Sequence, residues 1–183
     1  MKEQIICSGF GGQGIMILGK IIGYIAMTRG LNVTWMPSYG AEVRGGTAHC
    51  MVVLSSQEIA SPIITDCTAA IIMNKPSLDK FLGMIKPNKV YPKFKSLLLL
   101  NSSLEDRDIA KAGIDVVKIP MTEIAHALGN VRAANMVALG AYTGKRGIFQ
   151  RSDVVKGIKI AFAGNKDIID LNIKAFDKGV SLT

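Results

Sequence analysis

Near the N-terminus, Ser8-Gly9-Phe10-Gly11-Gly12-Gln13-Gly14 places Gly9, Gly11 and Gly14 at the spacing G-x-G-x-x-G. Glycine at the first position permits a tight turn. At the second it lets a phosphate approach the backbone, and at the third it lets helix and strand pack closely. A helix opening straight after the loop would offer unpaired N–H groups to an anion. A second glycine-rich segment runs Pro37-Ser38-Tyr39-Gly40-Ala41-Glu42-Val43-Arg44-Gly45-Gly46-Thr47-Ala48. It sets Glu42 and Arg44 on a pliable backbone, with Ser38, Tyr39 and Thr47 alongside. A guanidinium held this way can take a carboxylate or phosphate through paired hydrogen bonds. The plainer alternative is an internal Glu42–Arg44 pair that only orders the loop.

Much of the familiar chemistry is missing around these loops. A dinucleotide site needs an acidic residue about 20 residues beyond the first loop, where it binds the ribose. The strand expected there, Val33-Thr34-Trp35-Met36-Pro37, has no Asp or Glu, and no Arg stands in for a 2′-phosphate. No Gly-Lys-Ser/Thr follows either, which excludes a Walker loop. A structural turn, or a loop that meets a partner, therefore fits the first segment as well as a nucleotide does. Cys7, Cys50 and Cys67 are far apart and form no C-x-x-C pair, so neither zinc nor a cluster-binding run is indicated. All three sit in apolar segments and read as buried, inert thiols. His49 and His126 have no acid–nucleophile constellation beside them. Asn130, Arg132 and Asn135 flank an expected helix start and read as capping or interface groups first, ligand contacts second.

The elements that must position these loops follow from hydrophobic periodicity. Strands are predicted over Glu3 to Ser8, Asn32 to Met36, Thr47 to Ser55, Ala69 to Met73, Ser96 to Asn101 and Asp115 to Ile119. Helices are predicted over Gln13 to Arg29, Pro76 to Ile85 and Glu105 to Ala112. Four more follow over Met121 to Leu128, Arg132 to Thr143, Ser152 to Phe162 (Ser152 as N-cap) and Lys166 to Lys178. Lys89 to Lys95 reads as a surface loop or short hairpin. The helix after the first loop is apolar around much of its circumference, so it needs cover on more than one side. Its Gly19 and Gly23, one turn apart, suggest the close approach of another backbone. Strands alternate with helices early, and helices dominate the last third. The expected architecture is a three-layer α/β/α, Rossmann-like domain over residues 1–183, with a mostly parallel or mixed sheet.

Composition sets outer bounds. The 183 residues are 49% hydrophobic and 20% charged, which suits one folded domain rather than a disordered chain. No apolar run approaches the roughly 18 residues of a membrane span. The opening Met1-Lys2-Glu3-Gln4 does not resemble a secretion signal, so a cytoplasmic location is expected. The net charge is +8, with lysines dense from Lys75 to Lys95 opposed only by Asp79. Such a surface attracts acidic proteins or phosphorylated ligands. Few aromatics accompany it, which argues against nucleic acid.

Six segments taken in order resemble the gamma subunits of 2-oxoacid:ferredoxin oxidoreductases. They are the two loops, Met73-Asn74-Lys75-Pro76-Ser77, Asn101-Ser102-Ser103, Pro120 to Ala125, and Gly129-Asn130-Val131-Arg132-Ala133-Ala134-Asn135-Met136. Ala41 and His49 depart from the residues common at those positions, as does the sequence around 88–95. The resemblance implies a heteromeric enzyme that decarboxylates a 2-oxoacid oxidatively, makes acyl-CoA and reduces ferredoxin. It further implies thiamine diphosphate, Mg²⁺ and iron–sulfur clusters on thiamine-binding alpha and beta subunits and a ferredoxin-like subunit, with none bound by this chain alone. Gly9, Gly11, Gly12, Gln13, Gly14, Arg44, Gly45, Gly46 and Thr47 would then lie on the coenzyme A side of the site or at a subunit interface. The closest likeness is to 2-oxoglutarate and branched-chain types, with 2-oxoglutarate favoured. The competing reading is a self-sufficient Rossmann-type nucleotide-binding oxidoreductase.

Overall fold

The computed structural model describes residues 1–38, 47–88 and 95–183. Within β1 (Lys2–Phe10), side chains alternate between two buried faces: Ile5 and Cys7 enter one core, Ile6 the other. The same alternation runs through β3 (Thr47–Ser55), β4 (Ala69–Ile72) and β5 (Ser96–Asn101). Leu97 and Leu99 face the first core, Leu98 and Leu100 the second. A strand covered on both faces needs an unbroken apolar run, and Leu97 to Leu100 supplies one.

With β2 (Asn32–Ser38) and β6 (Ile114–Ile119), these strands form one six-stranded sheet in the order β2-β3-β1-β4-β5-β6. Pairs β1–β4, β4–β5 and β5–β6 are parallel, whereas β3 is antiparallel to both neighbours. β2 therefore runs the same way as β1, and β3 alone is reversed. β2 continues one residue past Pro37, which an edge strand tolerates because one side needs no N–H donor.

The larger core lies between the sheet and α1 (Ile15–Thr28), α3 (Met121–Ala127), α4 (Ala134–Arg146), α5 (Arg151–Ala161) and α6 (Lys166–Val180). The smaller one lies under α2 (Lys75–Phe81) and the 3₁₀ turn Leu82–Met84. This is the expected α/β/α arrangement with a mixed sheet, thin on the α2 side.

Several local expectations need correction. Glu105 to Ala112 is not helical. Its charges bind across the chain instead: Lys118 pairs with Asp106 and Asp108, and Arg107 with Glu105 and Asp79. α5 begins one residue before Ser152, with Gln150 at the N-cap position and no side-chain cap. The 3₁₀ turn Val131–Ala133 precedes α4. Gly19 and Gly23 admit side chains, not a backbone: a Cβ at Gly19 would strike Cys50 Sγ and crowd Trp35, and one at Gly23 would press on Val33. The expected loop or hairpin at Lys89 to Lys95 lies almost wholly outside the described residues.

Candidate functional site

The C-terminal edge of the sheet gathers the segments singled out in the sequence. β1 reaches it at Phe10, where the chain opposes Thr47 at the start of β3. Ser38, the last residue of β2, opposes His49 one turn of the pleat away. Arg44, Gly45 and Gly46 lie outside the described residues. The flanks of their segment, Ser38 and Thr47, both end beside the first glycine loop, because the reversed β3 brings its start to the edge where β1 and β2 finish.

The loop itself is short, since β1 extends through Gly9 and Phe10. Gln13 closes it: its N–H donates to the Phe10 carbonyl at 3.2 Å, and its Oε1 accepts the Phe10 N–H at 2.6 Å. Gly9 is needed for packing, because a Cβ there would lie 2.9 Å from both Ile15 Cδ1 and Met73 Cβ. Gly12 has φ 90° with nothing near its absent side chain, and Gly11 and Gly12 are exposed. Gly14, at φ 70°, is the N-cap of α1, and no side chain caps the helix. The first-turn amides of α1 are therefore available to an anion. The third glycine admits a different neighbour from the one expected. A Cβ at Gly14 would collide with the Asn135 amide of α4, not with a strand.

Asn130 is a cap, its Oδ1 accepting the Arg132 N–H at 3.0 Å. Asn135 is not: its Nδ2 donates to the Gly14 carbonyl at 3.1 Å, which ties α4 to the loop. Together Gly12, Gly14, Asn130, Arg132, Asn135 and Asn172 line a cavity of about 230 Å³, with exposed Arg132 at its rim. Its polar equipment is one guanidinium, asparagine amides and a helix N-terminus. That set suits a ligand that combines an anionic group with amide or hydroxyl donors.

On the other side of the loop, Ser8 Oγ hydrogen-bonds Ser77 Oγ at 2.9 Å, and Asn74 Oδ1 caps α2 by accepting the Ser77 N–H at 2.9 Å. Asn101 ties the next two strand ends together, donating to the Met73 carbonyl at 3.2 Å and to Thr122 Oγ1 at 2.8 Å. Lys80 Nζ donates to Thr47 Oγ1 at 3.2 Å, which draws a positive charge to the foot of the second loop. Asp79 is engaged by Lys75 and Arg107. Hydrogen bonds from Lys75 and then Arg107 hold its carboxyl below the ordinary carboxylate value. Two buried amide atoms at this edge, Asn74 Nδ2 and Asn135 Oδ1, lack a hydrogen-bond partner among the described residues. Such orphans cost about 1–3 kcal/mol each and mark places where a ligand or subunit can complete the bonding. The sequence offered Asn74 only as part of a resemblance, and nothing local signalled that Asn135 would reach Gly14.

Among the described residues, ligands for a metal ion or cluster do not come together. Among the described residues, no group of three or more His, Cys, Asp and Glu could hold a metal ion. Cys7 opposes Cys50 in one core while Cys67 sits in the other, so the thiols do not converge. A dinucleotide fits no better. Among the described residues, neither the end of β2 nor the start of β3, which meet at this edge, carries a carboxylate for a ribose.

The profile of the pyruvate ferredoxin/flavodoxin oxidoreductase family matches residues 4–182. The chain belongs to that family. A family relative, the 2-oxoglutarate synthase subunit KorC of Methanocaldococcus jannaschii, is 31% identical over 98% of this chain and 92% of its own length. The ketoisovalerate oxidoreductase subunit VorA of Methanothermobacter thermautotrophicus is 33% identical over 97% of this chain but only 36% of its own. The chain thus spans about a third of that relative. Among solved family structures, the keto/oxoacid ferredoxin oxidoreductase gamma subunit of Geobacter sulfurreducens superposes with a TM-score of 0.80. It is 25% identical and covers 98% of this chain and 96% of its own. The resemblance read from six ordered segments is borne out by these matches. No helix among the described residues is long and apolar enough to cross a membrane.

Proposed function

We propose that residues 1–183 act as one gamma-type subunit of a cytoplasmic, heteromeric 2-oxoacid:ferredoxin oxidoreductase. The complex converts a 2-oxoacid and coenzyme A to acyl-CoA and CO₂ and passes electrons to ferredoxin. Thiamine diphosphate, Mg²⁺ and the iron–sulfur clusters are assigned to the alpha, beta and ferredoxin-like partners, in keeping with the finding that no group of three or more His, Cys, Asp and Glu among the described residues could hold a metal ion. The observation that carries the reading is the near end-to-end match to KorC, a relative of almost the same extent.

This subunit's contribution is the coenzyme A side of the site. Coenzyme A joins phosphates to a pantetheine arm with amide and hydroxyl groups. The α1 N-terminus and Arg132 supply positive potential, and Asn135 and Asn74 supply unspent amide valences. Arg44 lies outside the described residues; its segment joins Ser38 to Thr47 in sequence, which is the ground for giving its guanidinium a share in binding coenzyme A. The chain binds and orients, while proton and electron transfer occur on its partners.

2-Oxoglutarate is the favoured substrate, in keeping with the KorC match. The 33% identity to VorA supports a second reading, ketoisovalerate. Copurification tests the assembly: thiamine-binding subunits carrying iron should accompany the tagged chain. Assay of that complex against both 2-oxoacids separates the two substrates. Arg44→Ala should raise the apparent KM for coenzyme A about tenfold with a smaller change in kcat. An unchanged KM in a fully assembled complex would remove Arg44 from the site, and NAD(H) binding by the lone chain would favour the nucleotide-binding alternative.

A further inference from the structure

Away from the glycine loops, α1 and α5 lie close together because Gly157 has no side chain. A Cβ there would stand 3.1 Å from Ile25 and 3.3 Å from Ile21. Along the outside of this helix pair run two adjoining hollows of about 370 and 390 Å³, which share Tyr24 and Ile160. Their apolar floor is open to solvent: Ile160 is 53% exposed and Ile17 36%. The rim is cationic. Lys20, Lys156 and Lys159 line it, and none of them holds an ion pair among the described residues. The one carboxylate in the lining, Asp153, is already taken by Arg29 at 2.8 Å.

We propose that this groove receives an amphipathic helix of another subunit, with its apolar face on Ile17, Tyr24 and Ile160 and an acidic flank against Lys20, Lys156 and Lys159. The inference rests on the heteromeric reading above and adds to it a docking surface and the chemistry of its occupant. Shape and charge both point to such a helix. Ile17, Tyr24 and Thr28 share one face of α1, with two turns between the first pair and one between the second, so the groove runs about three turns, roughly 16 Å, long enough to seat a helix. A second copy of this chain fits poorly, because a two-fold contact sets like against like and would press lysine rims together in a chain of net charge +8. A bilayer is flat where this surface is concave. The outward side of α1 exposes Ile17 and Met27 beside Lys20 and Thr28, an apolar and cationic mixture that suits an amphipathic partner.

The test uses the assembled complex. Ile160 is replaced by a benzophenone amino acid, the complex is irradiated, and the attached peptide is identified by mass spectrometry. The expected product is a peptide from another subunit in which Asp or Glu flanks an apolar helical stripe. In parallel, the affinity of Lys156→Glu/Lys159→Glu chain for the remaining subunits should fall about tenfold at low salt and converge with wild type at high salt. The thermal midpoint of the lone variant reports its folding. An attachment to a second copy, no attachment in an active complex, an unaltered affinity, or binding of the lone chain to anionic vesicles through these lysines overturns the proposal. Failure to form any complex with 2-oxoacid oxidoreductase subunits overturns the proposed function as well. An active complex with a silent groove overturns this inference alone.

Discussion

Asn135 of α4 and Gly14 at the head of α1 are 121 residues apart in sequence, yet the Asn135 amide donates to the Gly14 carbonyl at 3.1 Å. The glycine loop is therefore braced from the helical half of the molecule as well as from its own strand.

The brace makes Gly14 harder to replace than Gly12. Alanine there meets two penalties, a φ of 70° and a collision with the Asn135 amide. Gly12→Ala meets only the first, because nothing lies near its absent Cβ. Chemical denaturation should show Gly14→Ala losing about 2–4 kcal/mol and Gly12→Ala about 1 kcal/mol. In the assembled complex, Gly14→Ala should also raise the KM for coenzyme A. Equal costs for the two variants would show that Asn135 yields without resistance.

A second close approach holds the helical layer together. Gly140 of α4 and Gly179 of α6 meet where the helices cross. A Cβ on Gly140 would overlap the Phe176 carbonyl oxygen, and one on Gly179 the Val137 carbonyl oxygen. Backbone cannot swing aside as a side chain can, so either alanine substitution must push the helices apart. Gly140→Ala and Gly179→Ala should each cost about 3 kcal/mol or more, read as a lowered denaturation midpoint. The double variant should cost less than the sum, since one displacement relieves both clashes.

How far these relationships could be read in advance depends on how local they are. The strands and most helices follow from apolar periodicity because each element buries a face defined by its own residues. The reversal of β3 does not, since alternation reads the same in either direction. The Asn135–Gly14 bond was equally hidden, as neither residue carries a local mark of a partner so distant. Glu105 to Ala112 misled for another reason: a run of good helix formers with few apolar positions is decided by the charges it finds, and Lys118 and Asp79 lie on other elements. Among the candidate residues, the glycines and Arg44 were legible as types, while Asn74 and Lys80 gained meaning only when the sheet edge collected them.

At the opposite end of the sheet, Glu3 and Arg146 form a buried ion pair at 2.8 Å, and Arg146 also donates to the Lys95 and Thr68 carbonyls. Burial raises the Glu3 carboxyl above its ordinary 4.5, and the Arg146 charge offsets only part of that rise. The sign follows directly. The folded state favours the protonated carboxyl, so the stabilisation is complete below 4.5 and is lost as pH rises through the folded value. Replacing Glu3 with Gln should flatten stability against pH across that window. Arg146→Met should push the carboxyl higher still, as followed by carbon-detected NMR. A Glu3 carboxyl titrating below 4.5 would mean that the pair gains more than burial costs.

The three thiols offer a final check on the core. Cys7 and Cys50 face each other across β1 and β3, and all three cysteines are buried. A hydrogen bond with Cys50, then burial, pushes the Cys7 thiol well above its ordinary value. Burial pushes Cys67 up to about 12. Thiolate is the reactive form and must also be reached, and all three thiols are buried, so a maleimide at about pH 7 should label none of them in the native chain at a rate comparable to a free thiol. Labelling should appear only with unfolding, and its rate in mild denaturant should track global stability, because exposing Cys7 requires parting β1 from β3. Cys67, held by a single bridge to Ile85 outside the named strands, should open first. Fast labelling of Cys7 in the native chain would mean that the two central strands part readily, and the rigid edge on which the glycine loop depends would have to be abandoned.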